Sequence, residues 1–129
     1  MQWGDQDALG HVNNIVYFRW FESARIEYLQ RIGVNVTGLD GSAGVVLAAI
    51  HCDFRRPLTY PDTLDIGARV TRIGRSSMTM EHAIYSGAQQ AVVAEGSSTL
   101  VIFDHASGKP QRVETDFRRS IERLEGKSF

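Results

Sequence analysis

A polar segment near the start of the chain holds residues that could do chemistry. Asp5, Asp7 and His11, with a glycine and two asparagines, lie within residues 5–14, directly before an apolar helical pattern. The first N–H groups of a helix have no intrahelical partner and can polarise a carbonyl oxygen. A carboxylate a few residues upstream could face the same carbonyl carbon as nucleophile or base. The pattern therefore indicates acyl transfer, best suited to thioesters, whereas plain capping and turn formation is an equally good interpretation of these residues alone.

One long helix must position this segment. Apolar residues at three- and four-residue steps predict a helix over residues 14–32, with Asn13 as its N-cap and Gly33 as its C-cap. Further apolar residues widen the stripe, so the first half of the helix is expected to be buried on most sides.

The remaining pattern is that of a β-sheet. After a polar loop at residues 35–44, a continuous apolar run at 45–50 predicts a strand covered on both faces. Alternating apolar residues predict three further strands, at 64–71, 78–85 and 91–103. A loop over 104–110 and a short amphipathic helix, capped by Thr115 and stopped by Gly126, are expected to follow.

These elements predict one α+β domain over residues 1–129. Their order is a strand stub, the long helix, four antiparallel strands and a small helix, and its physical solution is a curved antiparallel sheet wrapped around one long central helix. One helix covers only the concave face of such a sheet. Because apolar strand positions remain, we expect a second subunit to bury them in a dimer.

Composition excludes several functions. The 129 residues hold 14 Lys and Arg against 15 Asp and Glu, a net charge of −1, so no general field attracts nucleic acid or an anionic membrane. Cys52 is the single cysteine, and the four histidines show no metal-ligand spacing, so no metal is expected. No apolar run approaches the ~18 residues of a membrane helix, and no signal peptide is recognised. We expect a cytoplasmic protein.

The motif residues resemble a known family. The segment WGDQDALGHVNN at residues 3–14, continuing through FESARIEYL at 21–29 to Gly33, resembles the hotdog-fold acyl-CoA thioesterases of the 4-hydroxybenzoyl-CoA thioesterase type. The segments DFRRPL at 53–58 and GRSS at 74–77 lie where that family has comparable stretches. The resemblance covers nearly the whole chain, and it departs in one respect, since only four residues precede Asp5 where the family has a longer first strand.

The resemblance implies a fold, a substrate and a site. The fold is the hotdog fold, the substrate is an acyl-CoA, and no cofactor is implied because hydrolysis needs only water. The family's dimers pair their sheets edge to edge and often form homotetramers, with the active site at the subunit interface. The catalytic carboxylate falls on Asp7, and the carbonyl-polarising backbone N–H falls on Asn14.

Coenzyme A carries phosphates, so a local cationic spot is also expected. Arg75, Ser76 and Ser77 offer a cation, two hydroxyls and turn N–H groups, and in the family this turn lies near the path of the pantetheine and nucleotide. Arg56, with its neighbour Arg55, is the second choice for substrate binding.

Other polar residues are expected to be structural. In the resembled family the position of Asp5 is usually structural and closes the motif loop, and a share in the base role is the alternative. His11 is expected to order the loop by bonding backbone groups, with a role as general base as the alternative. His82 is expected to be a satisfied core or interface histidine. Glu22 and Arg25 are expected to form a structural ion pair, within the chain or across the dimer, with a substrate contact as the alternative. Cys52 is expected to be a small core residue.

Two other functions compete with hydrolysis. A non-catalytic acyl-CoA-binding or regulatory hotdog domain would share the fold and pocket, but the presence of Asp7 argues against it. A hotdog dehydratase or hydratase would need a histidine on the central helix, and this helix has none.

Overall fold

A long helix and an antiparallel sheet contain most of the chain. The computed structural model describes residues 1–33, 44–104 and 106–129. Its regular elements are a 3₁₀ helix (Trp3–Asp5), α1 (Asn14–Arg31), β1 (Gly44–Phe54), β2 (Leu64–Ile73), β3 (Ser77–Ser86), β4 (Ala91–Asp104), β5 (Lys109–Pro110) and α2 (Thr115–Glu125).

The predicted N-cap of α1 is present, whereas its C-cap is Ile32 and not the predicted Gly33. The Asn13 side chain accepts a hydrogen bond from the Ile15 N–H at 3.0 Å, and its backbone is extended. Gly33 follows the last turn with a φ of +86°, which suits glycine better than other residues. The 18 residues of α1 span about 27 Å, which is enough to cross the whole sheet.

The sheet is antiparallel, with the strand order β1-β4-β3-β2, and β5 pairs with β4. β1 and β2 are therefore its two long edges. The predicted strands are confirmed, but β5 falls in the predicted loop because a two-residue strand has no periodicity to detect. The predicted N-terminal strand stub is wrong: the segment forms the 3₁₀ helix, and only an isolated bridge joins Gln6 to Val12.

α1 packs against the concave face of the sheet. The Phe21 ring is fully buried, and it stacks on His82 with ring centroids 4.7 Å apart. Below it lies Gly96, where an added Cβ would come within 2.7 Å of Phe21 Cε2 and would collide with the His51 carbonyl. A glycine in β4 therefore lets the helix approach the sheet closely.

Two predictions of burial are wrong in the single chain. Ile15 is 74% exposed, so the first turn of α1 is not buried on all sides. Residues 46–49 are also exposed, because β1 is an edge strand and has a neighbour on one side only. Of the predicted loop, residues 35–43 lie outside the described residues, and Gly44 begins β1.

The C-terminal helix closes the other end of the core. Ile121 is fully buried against a cluster that includes Tyr28, Leu29 and Met80. Gly126 ends α2 in the left-handed conformation, as predicted. Thr115 is the first helical residue rather than the cap; Glu114 precedes it as N-cap, without a side-chain capping bond. Within the described ranges, no helix is long and apolar enough to cross a membrane.

Candidate active site

Asp5 anchors the loop that leads into α1. Its carboxylate is buried, accepting hydrogen bonds from the Arg19 guanidinium at 2.7 Å and the Gln2 N–H at 2.8 Å. Its carbonyl accepts a hydrogen bond from the Asn13 N–H at 2.9 Å. Burial raises the pKa of Asp5, but the bond from Gln2 and the charge of Arg19 outweigh it and hold that pKa below its ordinary value. These contacts support the structural role predicted for Asp5.

Asp7 lies on a tight turn inside this loop. Its N–H donates to the His11 carbonyl at 2.7 Å, its carbonyl accepts from the Gly10 N–H at 3.0 Å, and Gly10 has a φ of +79°. Asp7 Oδ1 accepts from the Leu9 N–H at 2.9 Å. Within the described residues Oδ2 has no partner, so the carboxylate is oriented by its own turn and open on one side.

The first turn of α1 presents one free donor. The Asn13 side chain accepts a hydrogen bond from the Ile15 N–H, and the Asn13 carbonyl accepts one from the Val16 N–H, both at 3.0 Å. The Asn14 N–H has no hydrogen-bond partner in the described part of the chain. It therefore remains available for an oxygen of a ligand, in the position where the partial positive charge of the helix is greatest.

Asp7 and Asn14 line one cavity of about 250 Å³. Arg56 lies in the same cavity, and its side chain has no acidic partner among the described residues, whereas Arg55 pairs with Glu95 at 2.9 Å. Aromatic walls come from Tyr17 and Phe54, whose rings meet edge to face. Burial, with a smaller contribution from Cys52, raises the pKa of Tyr17 to about 12, so its hydroxyl stays protonated at neutral pH.

His11 orders the loop through its backbone and not through its ring. Its carbonyl, not its ring, makes the loop-ordering hydrogen bond, and its exposed side chain lines the cavity. The segment after β1 completes the wall, because the Leu58 carbonyl accepts the Val12 N–H at 2.8 Å and so holds residues 55–57 beside the loop.

The predicted phosphate-binding turn is at the other end of the sheet. β3 begins at Ser77, beside Arg75, and ends at Ser86, on the side of Asp7; its ten residues span about 30 Å. Arg75 lines a separate cavity of about 320 Å³ with Arg112, Thr115 and Arg118. Arg112 and Arg118 were not predicted, although they flank the start of the predicted C-terminal helix.

A polar chain runs beneath the middle of α1. Arg25 donates to Ser98 Oγ at 2.9 Å, and Ser98 Oγ is 2.8 Å from His82 Nε2. All three residues are buried, and His82 Nδ1 has no hydrogen-bond partner among the residues that the structure describes, so one of the two ring nitrogens is unsatisfied there. Burial, with a smaller contribution from Arg25, lowers the pKa of His82 to about 4, and the ring is neutral at neutral pH.

Other predicted roles are modified or unsupported. The side chains of Glu22 and Arg25 do not form an ion pair within the chain. Cys52 is partly buried, and burial together with Asp53 raises the pKa of its thiol to about 11, so it is an unreactive thiol. In the described residues, no group of three or more His, Cys, Asp or Glu side chains could hold a metal ion.

Comparison with known proteins finds one family and one fold. A family model described as the Thioesterase-like superfamily matches residues 1–121. A Thermus thermophilus thioesterase, crystallised with coenzyme A and zinc, has a TM-score of 0.88 and 33% sequence identity, covering 100% of this chain and 92% of its own.

Two curated relatives agree with this family. A long-chain acyl-CoA thioesterase of Escherichia coli is 25% identical over 92% of this chain and 89% of its own. A putative esterase of Aquifex aeolicus is 30% identical over 66% of this chain and 67% of its own. The predicted hotdog fold and the predicted class, thioester hydrolase, are confirmed: the chain belongs to the Thioesterase-like superfamily.

Proposed function

We propose that this protein hydrolyses acyl-CoA thioesters to a free acid and coenzyme A, at the cavity lined by Asp7 and Asn14. The observation that carries the proposal is the pairing, in one cavity, of a carboxylate with an open oxygen and a helix N–H without a partner. The family likeness supports the same chemistry, because relatives include acyl-CoA thioesterases.

The Asn14 N–H donates to the thioester oxygen and stabilises the negative charge that develops there. Asp7 then has two roles open to it. As a nucleophile it attacks the carbonyl carbon, the thiolate of coenzyme A leaves and takes up a proton, and water hydrolyses the resulting mixed anhydride. As a general base it takes a proton from water while the water oxygen attacks the carbonyl carbon, the C–S bond breaks, and the thiolate of coenzyme A leaves with that proton. Incorporation of labelled oxygen into Asp7 in a single turnover identifies the first route.

We extend the proposal to the 4-hydroxybenzoyl-CoA thioesterase type, and the motif at residues 3–14 supports it. The aromatic walls at Tyr17 and Phe54 suit an apolar acyl group, aromatic or aliphatic. Relatives act on both kinds: their names include a long-chain acyl-CoA thioesterase and a 1,4-dihydroxy-2-naphthoyl-CoA hydrolase. Rates on benzoyl, phenylacetyl, short-, medium- and long-chain acyl-CoAs rank these substrates.

The phosphates of coenzyme A have two candidate sites. Arg56 lies beside Asp7, close to the thioester. Arg75 and Arg112 have no acidic partner in the described residues, and with Arg118 they line the distant cavity at the start of α2. We assign the phosphate-bearing end of coenzyme A to this distant cavity, with Ser76 and Ser77 in the adjoining turn.

This assignment requires two protomers. Asp7 and Arg75 are about 30 Å apart along the sheet of one chain, too far for one substrate. A dimer in which two β1 edges pair antiparallel brings the start of one β1 beside the end of the other, so Arg75 of one copy approaches Asp7 of the other. The exposed apolar residues of β1, Val46 and Leu47, become buried in that dimer. Two such dimers form the tetramer that the family resemblance implies.

Substitution of Asp7 tests the function. Asp7→Asn keeps the Leu9 turn but removes the charge, and we expect turnover to fall about 10²–10⁴-fold with the fold retained. Asp65→Asn is the matched control, because Asp65 is exposed on β2, at the sheet edge opposite β1. Release of free thiol from acyl-CoA measures both. An Asp7→Asn variant with near-normal turnover contradicts the mechanism. If the wild-type protein binds acyl-CoA and releases no thiol, the protein is the non-catalytic acyl-CoA-binding domain instead.

A further inference from the structure

Arg25 is a buried cation that makes no direct ion pair with the described residues. Burial lowers its pKa, and the charge of Glu22, one turn earlier on the same helix, only partly opposes that shift. It is 6% exposed, and its one hydrogen bond in the described residues goes to the neutral hydroxyl of Ser98. No carboxylate of the described residues lies within ion-pair distance of it. A guanidinium has five N–H donors, and a buried charge is costly unless these donors find acceptors. Most of the Arg25 donors have no acceptor in the described part of the chain, so a carboxylate of a second copy would satisfy them.

Arg25 lies on the side of α1 that faces the β1 edge. Phe18, two turns earlier, contacts Phe54 of β1 with ring centroids 6.1 Å apart. Glu22 follows Phe18 by four residues and Arg25 by seven, so all three share this side of the helix. Tyr28, one turn after Arg25, contacts α2 instead, because its hydroxyl donates to Glu125. Glu22 is exposed and has no ion-pair partner in the described residues.

Arg25 is also level with the middle of β1. Its partner Ser98 pairs with Ile50, next to the central residue of the 11-residue strand, Ala49. If two β1 strands pair antiparallel along their full length, the two-fold axis passes this level. Ser98 lies on β4, the neighbour of the edge strand β1. In a β1–β1 dimer the two β4 strands are separated by both β1 strands, so the two copies of Ser98 are three strand spacings apart, about 14 Å. The two α1 helices then face each other within reach of long side chains.

We propose that Glu22 of a second copy supplies the counter-charge of Arg25, and that the two copies form this ion pair twice, reciprocally, across the dimer axis. Near that axis, each Arg25 would otherwise face its own symmetry mate, and two like charges repel. Glu22 is the carboxylate on the same helix face at the same level, so it meets Arg25 of the other copy. The inference rests on the proposed β1 dimer and adds the residues that specify its register.

Charge exchange between chains tests the pair directly. In a homodimer of Glu22→Arg chains two arginines face each other at each contact, and in a homodimer of Arg25→Glu chains two glutamates do. In a mixed dimer of the two variants both contacts are attractive, because the arginines of one chain meet the glutamates of the other. We expect each variant alone to be mainly monomeric and the mixture to form heterodimers well above the half that random exchange gives, measured by native mass spectrometry with one chain tagged. Random exchange, or two variants that both stay dimeric, overturns the pair.

A milder cycle covers the case in which Arg25→Glu does not fold. Glu22→Gln, Arg25→Gln and the double variant remove the charges and keep polar side chains. Each single change should raise the dimer dissociation constant roughly tenfold or more, while the double change adds little to either. Glu27 and Arg31 provide the control cycle, since they pair within α1 at 2.9 Å on the other side of the helix. Their Gln variants should leave the dissociation constant unchanged. Additive losses at Glu22 and Arg25 overturn the pair.

The two proposals fail separately. Wild-type protein that stays monomeric by light scattering at all accessible concentrations removes the proposed dimer and, with it, this ion pair. A wild-type dimer whose Glu22 variants dissociate no more readily than the Glu27 control retains the dimer and removes only the ion pair. Thiol release by the wild-type protein reports the catalytic proposal independently of both.

Discussion

Protonation of the buried His82 ring makes the stability of the protein depend on pH. Arg25 from α1, Ser98 from β4 and the stacked Phe21 ring surround it. Because folding lowers the pKa of His82 from 6.5 to about 4, its contribution to stability is complete above pH 6.5 and is lost as the pH falls toward 4. Over that range we expect the free energy of unfolding to fall by on the order of 3 kcal/mol from this residue.

Urea unfolding at a series of pH values measures this loss. His82→Gln removes the titrating group, so the variant is less stable at neutral pH but its stability should vary less between pH 6.5 and 4. His51→Gln is the control, because His51 is exposed on the edge strand. Equal acid sensitivity of the His82→Gln variant and the wild type would show that another group controls the loss.

The sequence predicts local parts of the site better than distant ones. The spacing alone indicated a carboxylate and a helix end within residues 5–14, and the family resemblance assigned them to Asp7 and Asn14, which line one cavity in the structure. Arg56 joins them only through contact of the segment after β1 with the motif loop, for which the sequence has no spacing signal. Arg112 and Arg118 were missed because their cavity with Arg75 forms only in three dimensions.

At the scale of elements, the close approach of α1 to the sheet depends on a glycine, Gly96, in β4. In Gly96→Ala the new methyl group would collide with the His51 carbonyl and lie 2.7 Å from Phe21 Cε2. We expect it to lower the free energy of unfolding by about 1–3 kcal/mol, the usual cost of overpacking. Gly67→Ala is the control, since a Cβ there meets only Ala83 O, at 4.0 Å. Thermal unfolding compares the two, and equal effects contradict a close helix approach at Gly96.

The periodicity predicted element types well and their surroundings less well. Alternation at β2 and β3 predicted strands with one buried face, and the alternating burial of Met78, Met80 and Ile84 agrees. The continuous apolar run at 45–50 predicted a strand covered on both faces, but β1 is an exposed edge in the single chain. The sequence indicates that apolar residues are to be buried, but it does not indicate whether the residues that bury them belong to the same chain or to a second one.

At the scale of the whole molecule, the groups proposed for one substrate lie at two ends of the sheet. Asp7 and the Arg75 cavity are separated by the length of β3. If each site combines Asp7 of one copy with Arg75 of the other, two different inactive variants can complement each other. A site formed within one chain cannot be rebuilt by mixing.

Mixing of inactive variants therefore tests the assembly. Asp7→Asn and the double variant Arg75→Glu, Arg112→Glu should each hydrolyse acyl-CoA poorly at low substrate concentration. In a mixed dimer one site carries all the changes and the other carries none. Random exchange makes half of the dimers mixed and restores one of their two sites, so we expect about a quarter of the wild-type activity after mixing. Thiol release before and after subunit exchange measures the gain. Activity that stays at the average of the two separate variants would place the phosphate site and the carboxylate in the same protomer, or remove the Arg75 cavity from substrate binding.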